Sequence, residues 1–208
     1  MRRPMTLISL TNKFISRAPV LLLGLCWLFP MAEGKAQSVP GTKNRSDFFY
    51  CQDDKLFRVI NSTDTLSYSA RLQGGITDFD ASNPFKILVF SAPFQKIYYL
   101  DHRLAPLSEE CLLSDWGLGE VTCACASKQG GFWVFDRWNR VLVRFDGQMQ
   151  RVVSSEHFSL LGLSEAEPSK IREVGNQLYV CCGESGGYRF DLFGSFIGPD
   201  PAMRPEDF

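Results

Sequence analysis

From residue 47 onward the chain is a succession of short apolar runs separated by polar breaks. Residues 86–91 (KILVFS) and 96–100 (KIYYL) are typical: five or six residues rich in β-branched and aromatic types. Such runs read as strands and are too short for ordinary helices. Four segments can be laid over one another: FFYCQDDKLFRVINSTDTL, ILVFSAPFQKIYYLDHRLAPL, FWVFDRWNRVLVRFDGQMQRV and LYVCCGESGGYRFDLFGSFIG. Each holds an apolar run, a polar break, a second apolar run and a turn. The second runs close on Asn61, Asp101, Asp146 and Asp191, at offsets of 40, 45 and 45 residues. Tyr50, Phe90, Phe135 and Val180 in the first runs keep the same offsets, and agreement at two columns marks an internal repeat.

The repeat predicts about four strands per unit. A further run precedes several units, at 76–80 (ITDFD), 121–126 (VTCACA) and 171–174 (IREV), and one follows the turn, as at 150–153. The Asp or Asn closing each second run bonds its own backbone two residues on, which starts a tight turn, and Asp146-Gly147 is the strongest hairpin signal. A period of 40 to 45 residues with four short strands is the signature of β-propeller blades. The expected fold is all-β and propeller-like, with about four four-stranded blades near 47–73, 74–112, 119–155 and 168–208, in an incomplete or open ring.

The chain resembles the broad class of repeat propellers related to the NHL and YWTD types, without the WD dipeptide or the YWTD tetrad. It is also similar to an uncharacterised exported propeller-like family of Bacteroidetes. The stretch 80–88 (DASNPFKIL) and the turn 99–104 (YLDHRL) carry that resemblance, supported by FWVFDRWN and FDLFGSF in the third and fourth units. It covers roughly residues 47 to 208 and implies a fold and an exported location, with no activity attached. Propellers of this kind close with six blades or more. Four units therefore suggest a truncated product, a partial propeller completed by another subunit, or a small four-bladed ring. The final Asp207-Phe208 echoes Asp47-Phe48 and Asp78-Phe79, where earlier units open.

The first 36 residues read as an export signal. Arg2, Arg3, Lys13 and Arg17 supply a basic region, and 18–31 is an apolar run shorter than a membrane-spanning helix needs. Gly34 and Ala36 place small residues for cleavage before Gln37, whereas Leu25 ahead of Cys26 disfavours lipidation. Residues 37–46 follow as a polar leader. The protein is then expected to be periplasmic or outer-membrane-associated, with no membrane span after cleavage. Of 22 basic and 23 acidic residues, cleavage removes five and one, leaving 17 against 22. That balance excludes nucleic acid as a natural partner.

Candidate chemistry is sparse. Six cysteines follow the signal, and export permits disulfides among Cys123, Cys125, Cys181 and Cys182. The spacing does not match a CxxC metal site, and no histidine accompanies it. His102 and His157 fall in turns, with no nucleophile tied to either. Asp78, Asp80 and Asn83 lack the glycine and distal glutamate of a calcium loop. No metal or cofactor is expected. Trp138, Arg137 beside it and Trp116 are the best contacts for a partner, since aromatics and arginine anchor interfaces. Trp133, inside a strand, is expected in the core. The function expected from these residues is a non-catalytic binding or scaffold module, its partner another envelope protein or a second copy. The alternative is a propeller-type hydrolase or lyase with its site at the channel mouth.

Overall fold

A computed structural model of the chain describes residues 35–38, 47–61, 63–183 and 186–204. Most of the expected signal and leader lies outside the described residues. The part described as Lys35–Ser38 departs from the sequence reading. It forms a strand, β1, that spans the expected cleavage point and pairs antiparallel with β2 (Phe48–Gln52), Lys35 opposite Cys51 and Ser38 opposite Phe48.

Among the described residues, sixteen strands make four antiparallel sheets, each with its strands neighbouring in chain order. Sheet 1 adds β3 (Lys55–Ile60) and β4 (Asp64–Ser69). Sheet 2 comprises β5 (Asp78–Asp80), β6 (Ile87–Ser91), β7 (Lys96–Leu100) and β8 (Pro106–Leu112). Sheet 3 is β9 (Val121–Ala126), β10 (Phe132–Asp136), β11 (Val141–Phe145) and β12 (Arg151–Ser154). Sheet 4 is β13 (Lys170–Val174), β14 (Gln177–Cys181), β15 (Gly187–Asp191) and β16 (Phe196–Asp200). The opening strands β5, β9 and β13 pack beside one another, so they line the inner side of an arc of blades that does not close on itself.

Three core layers hold the arc together, one between each pair of neighbouring sheets. Phe49 and Leu56 of sheet 1 meet Phe79, Ile87 and Val89 of sheet 2. Phe90 and Ile97 meet Phe132, Val134 and Phe145 across the second junction. Trp133, Phe135 and Phe158 meet Leu178, Val180 and Phe190 across the third. Alternation along each strand sends successive side chains into different layers, which is why central strands such as β6 and β10 are buried throughout and apolar up to their closing Ser91 and Asp136. Each fully buried Phe or Leu contributes roughly 1.5–3 kcal/mol of hydrophobic stabilisation.

The turns repeat as closely as the strands. Asp101 Oδ1 accepts the N–H groups of Arg103 and Ala105 at 2.8 Å, and Asp146 and Asp191 hold the N–H groups two and four residues on in the same way. Leu104, Met149 and Gly194 take the left-handed conformation that this turn requires. Asn61 departs from the column. Its backbone itself adopts φ 51°, and its N–H donates to Asp47 Oδ1 at 2.8 Å.

At the opposite end of sheets 2 and 3, the corner between the second and third strands ties the blade to the next. The Gln95 amide accepts from Val121 N–H at 2.7 Å and donates to its carbonyl at 3.0 Å. Arg140 donates to the carbonyls of Leu163 and Ala166 and pairs with Glu167 at 3.0 Å. Both residues hold positive φ, 47° and 50°, which aims the side chain at the entry of the following blade.

Candidate functional site

Charged side chains concentrate where the inner strands meet. The strand ITDFD places Asp78 and Asp80 on one side of β5 and Phe79 on the other, and IREV places Arg172 and Glu173 on β13. All four are at least nine-tenths buried. Arg172 crosses from the fourth blade to the second and forms a two-pronged pair with Asp78, at 3.0 and 3.1 Å. Its remaining N–H groups donate to the carbonyls of Phe79 and Ile171, both at 2.7 Å. Burial drives the Arg172 pKa down, but the charges of Asp78 and Asp80 and the hydrogen bond to Asp78 outweigh it. The net result lies above the ordinary arginine value.

The other two acids are satisfied by neutral donors. Asp80 accepts from Ser82 N–H at 2.8 Å and from Ala126 N–H at 3.0 Å. Glu173 accepts from the Trp133 indole N–H at 2.9 Å and from Lys128 N–H at 3.1 Å. Sequence reasoning missed Arg172 and Glu173. The available signal was two consecutive charges inside an otherwise apolar predicted strand.

Cys123 and Cys125 sit nearby as buried thiols. Cys123 and Cys125 do project from one face of β9, into the layer shared with sheet 4. Burial pushes the Cys123 thiol up to about 12, and Cys125 well above its usual value. Cys182 is likewise raised to about 12 by burial and then by the neighbouring Cys181. The expected disulfide set is not formed: Cys123, Cys125 and Cys182 are free thiols. Side chains two apart on one strand stand about 6.6 Å from each other, beyond the ~3.8 Å Cβ separation of a disulfide. Cys123 Sγ points at the Pro168 carbonyl instead, at 3.8 Å, and Cys181 closes β14, buried. Among the described residues no three His, Cys, Asp or Glu side chains come together as a metal site.

The expected partner contacts are divided between two environments. Arg137 and Trp138 stand in the β10–β11 turn, where Trp138 is 75% exposed. Arg137 pairs with Glu120 at 3.4 Å and Glu167 at 3.3 Å. Trp116 ends the short 3-10 turn Leu113–Trp116 and packs edge-on against Phe145, with centroids 6.0 Å apart. Trp133 is fully buried, as expected. The histidines lie apart: His102 is beside the Phe85 ring at 5.6 Å, and His157 bonds Ser159 at 2.7 Å.

No protein-family model matches the chain, and no curated protein matches it. Solved structures do. Virginiamycin B lyase from Staphylococcus aureus superposes with a TM-score of 0.56 at 10% identity, over 85% of this chain and 58% of the lyase. A protein of unknown function from Bacteroides caccae gives 0.55 at 13% identity, over 82% and 62%. A streptogramin B lyase gives 0.54 at 13% identity, over 77% and 55%. These neighbours are β-propeller proteins, and the fold described above is of that class. The chain spans less than two thirds of the length of each.

Proposed function

We propose that the chain is a non-catalytic, exported β-propeller that serves as a binding or scaffold module of the bacterial envelope. Its partner is another envelope protein or a second copy, met at the unclosed ends of the arc. One observation carries the reading: every acid on the inner strands is already engaged by an internal donor. Asp78 is held by Arg172, Asp80 by two backbone N–H groups, and Glu173 by the Trp133 indole and the Lys128 backbone N–H, so these three carboxylates are committed to internal donors. Export rests on the basic and apolar segments before residue 37. No helix among the described residues is long and apolar enough to cross a membrane. The reading as a member of an exported Bacteroidetes family draws on the 80–88 and 99–104 stretches.

The alternative, a propeller-type lyase or hydrolase, draws on the two lyase neighbours. A catalytically inactive form of the staphylococcal lyase is a histidine-to-alanine variant. Here both histidines are bound up in loops, away from the inner strands. The test is capture of partners from envelope extract with the tagged chain, alongside light scattering of the purified protein. A stoichiometric envelope protein or a defined self-assembly is expected. Turnover of ester, lactone or glycoside substrates, lost in Asp80→Asn or Glu173→Gln, would overturn the reading.

A further inference from the structure

The two ends of the arc are different faces, and each is built like a face that packs between blades. Strand pairing sets the columns. Phe48 stands opposite Val59 in sheet 1 as Ile87 does opposite Leu100, Phe132 opposite Phe145 and Leu178 opposite Phe190 in the later sheets. Tyr50 stands opposite Phe57 as Val89 does opposite Tyr98, Val134 opposite Val143 and Val180 opposite Tyr188. In sheets 2, 3 and 4 these columns face the preceding blade and lie in the core layer shared with it. Sheet 1 is the first sheet among the described residues, yet its four positions in these columns are all large and apolar. Phe48, Tyr50, Phe57 and Val59 are only half-buried there. The Tyr50 and Phe57 rings stack with centroids 4.8 Å apart, and Phe48 joins Tyr50 at 5.9 Å. A sheet that meant to keep water on that side would carry polar residues at alternate positions instead.

The other columns face the following blade, and sheet 4 carries the last of them. In sheet 1 they hold Phe49 opposite Arg58 and Cys51 opposite Leu56. In sheet 4 they hold Tyr179 opposite Arg189 and Cys181 opposite Gly187. Three of the four positions repeat in kind, and the fourth is completed from the tail. A β-carbon on Gly187 would lie 2.5 Å from Met203 Sδ, so the Met203 side chain fills the place that Leu56 takes in sheet 1. The set in sheet 1 packs on the preceding-side columns of sheet 2, Ile87, Val89, Tyr98 and Leu100. Its Arg58 guanidinium also donates to the carbonyl of His102, two residues past Leu100. Sheet 4 therefore ends on the kind of face with which sheet 1 holds a blade, and sheet 1 begins on the kind of face that a blade offers in return.

We propose that a second copy of the chain completes the propeller head to tail, sheet 4 of each copy seated on sheet 1 of the other. Two four-blade arcs then make a two-fold ring of eight blades. The contact reuses the junction between sheets 1 and 2. Tyr179 and Met203 meet Tyr50 and Phe57 of the second copy. Arg189, which faces Asp200 of its own blade at 3.9 Å, reaches the Asn61 carbonyl of that copy, two residues past Val59 as His102 is past Leu100. The proposal rests on the reading above in taking the partner to be met at the ends of the arc.

The test is the light-scattering mass of the purified full chain over a range of concentrations. Tyr50→Glu alters the first face and Arg189→Glu the last. Far-UV circular dichroism confirms that each variant is folded, and Phe57→Glu or Tyr179→Glu stands in for one that is not. The parent is expected at twice the mass of a single chain, and each variant at the mass of one. An equimolar mixture of the two variants is expected to regain the dimer, more weakly, because one intact first face and one intact last face remain between them. A monomeric parent, a folded variant that still dimerises, a mixture that stays monomeric or a mass that climbs past two chains overturns the proposal. A monomeric parent that captures an envelope protein through either face overturns it and keeps the reading on which it rests. A dimer that turns over ester, lactone or glycoside substrates keeps the ring and overturns that reading.

Discussion

Removing Arg172 tests the buried charge arrangement most directly. Arg172→Ala leaves the Asp78 carboxylate in a site of 3% exposure without its two-pronged partner, and removes the N–H groups that the guanidinium donates to the Phe79 and Ile171 carbonyls. Breaking one side of a buried pair costs about 3–5 kcal/mol, because an uncompensated charge stays behind. At roughly 2–4 °C per kcal/mol for a chain of this size, the melting temperature falls by roughly 6–20 °C. Urea titration followed by far-UV circular dichroism gives the free energy, and a thermal scan gives the shift. The Arg172 pKa is raised in the folded state, so its contribution is complete below the ordinary arginine range and fades only as pH climbs through that range. The cost is therefore the same at about pH 6 and at about pH 9. Replacing both partners with apolar residues, Arg172→Met with Asp78→Leu, recovers most of the loss, since desolvation of both charges is avoided. A single variant that costs less than about 1 kcal/mol, or a double variant as damaged as the single, would refute the reasoning.

Three further outcomes follow from the geometry. Backbone N–H groups, Ala105 first and then Arg103, hold the exposed Asp101 carboxyl below its usual range. Its turn therefore stabilises the fold above the ordinary carboxylate pKa and weakens as pH falls through it, and Asp101→Asn flattens that acid limb in urea midpoints measured from about pH 7 to about pH 3. Alkylation at about pH 8 leaves Cys111, Cys123, Cys125 and Cys182 unmodified in the native protein and labels them in denaturant, because burial keeps each thiol protonated; native labelling of Cys125 in a peptide digest would contradict this. Gly117→Ala, at φ 67° with open space around it, costs about 1–2 kcal/mol, whereas Gly131→Ala costs more, because its β-carbon would sit 2.0 Å from the Phe145 carbonyl oxygen; equal shifts in melting temperature for the two would show that the clash is absent.

What could be seen in the sequence was local chemistry. An Asp that closes a strand binds N–H groups two and four residues away, so the column at 101, 146 and 191 revealed both the turns and the blade period. Asn61 shared the column by spacing but not by bonding, because its N–H goes to Asp47, 14 residues back. Strand β1 escaped notice because KAQS carries neither alternation nor β-branched side chains. The inner charges were hidden for a different reason: Arg172 is 94 residues from Asp78 and Glu173 is 40 from Trp133, and no local pattern encodes such pairings. Arg137 and Trp138 were legible as a pair in a polar turn, whereas the seating of Trp138 against Gly119, 19 residues earlier, was not.

The reach of Arg172 from the fourth blade to the second also bears on the order of assembly. Neighbouring blades can dock as soon as their own strands are formed, but this bridge closes only when three consecutive blades stand in register. A contact spanning 94 residues carries a large loop-closure entropy and belongs on the native side of the folding barrier. Its loss then accelerates unfolding far more than it slows folding. The guanidinium thus acts as a late bolt: it sets how long the assembled arc survives, and leaves the speed of its formation nearly untouched.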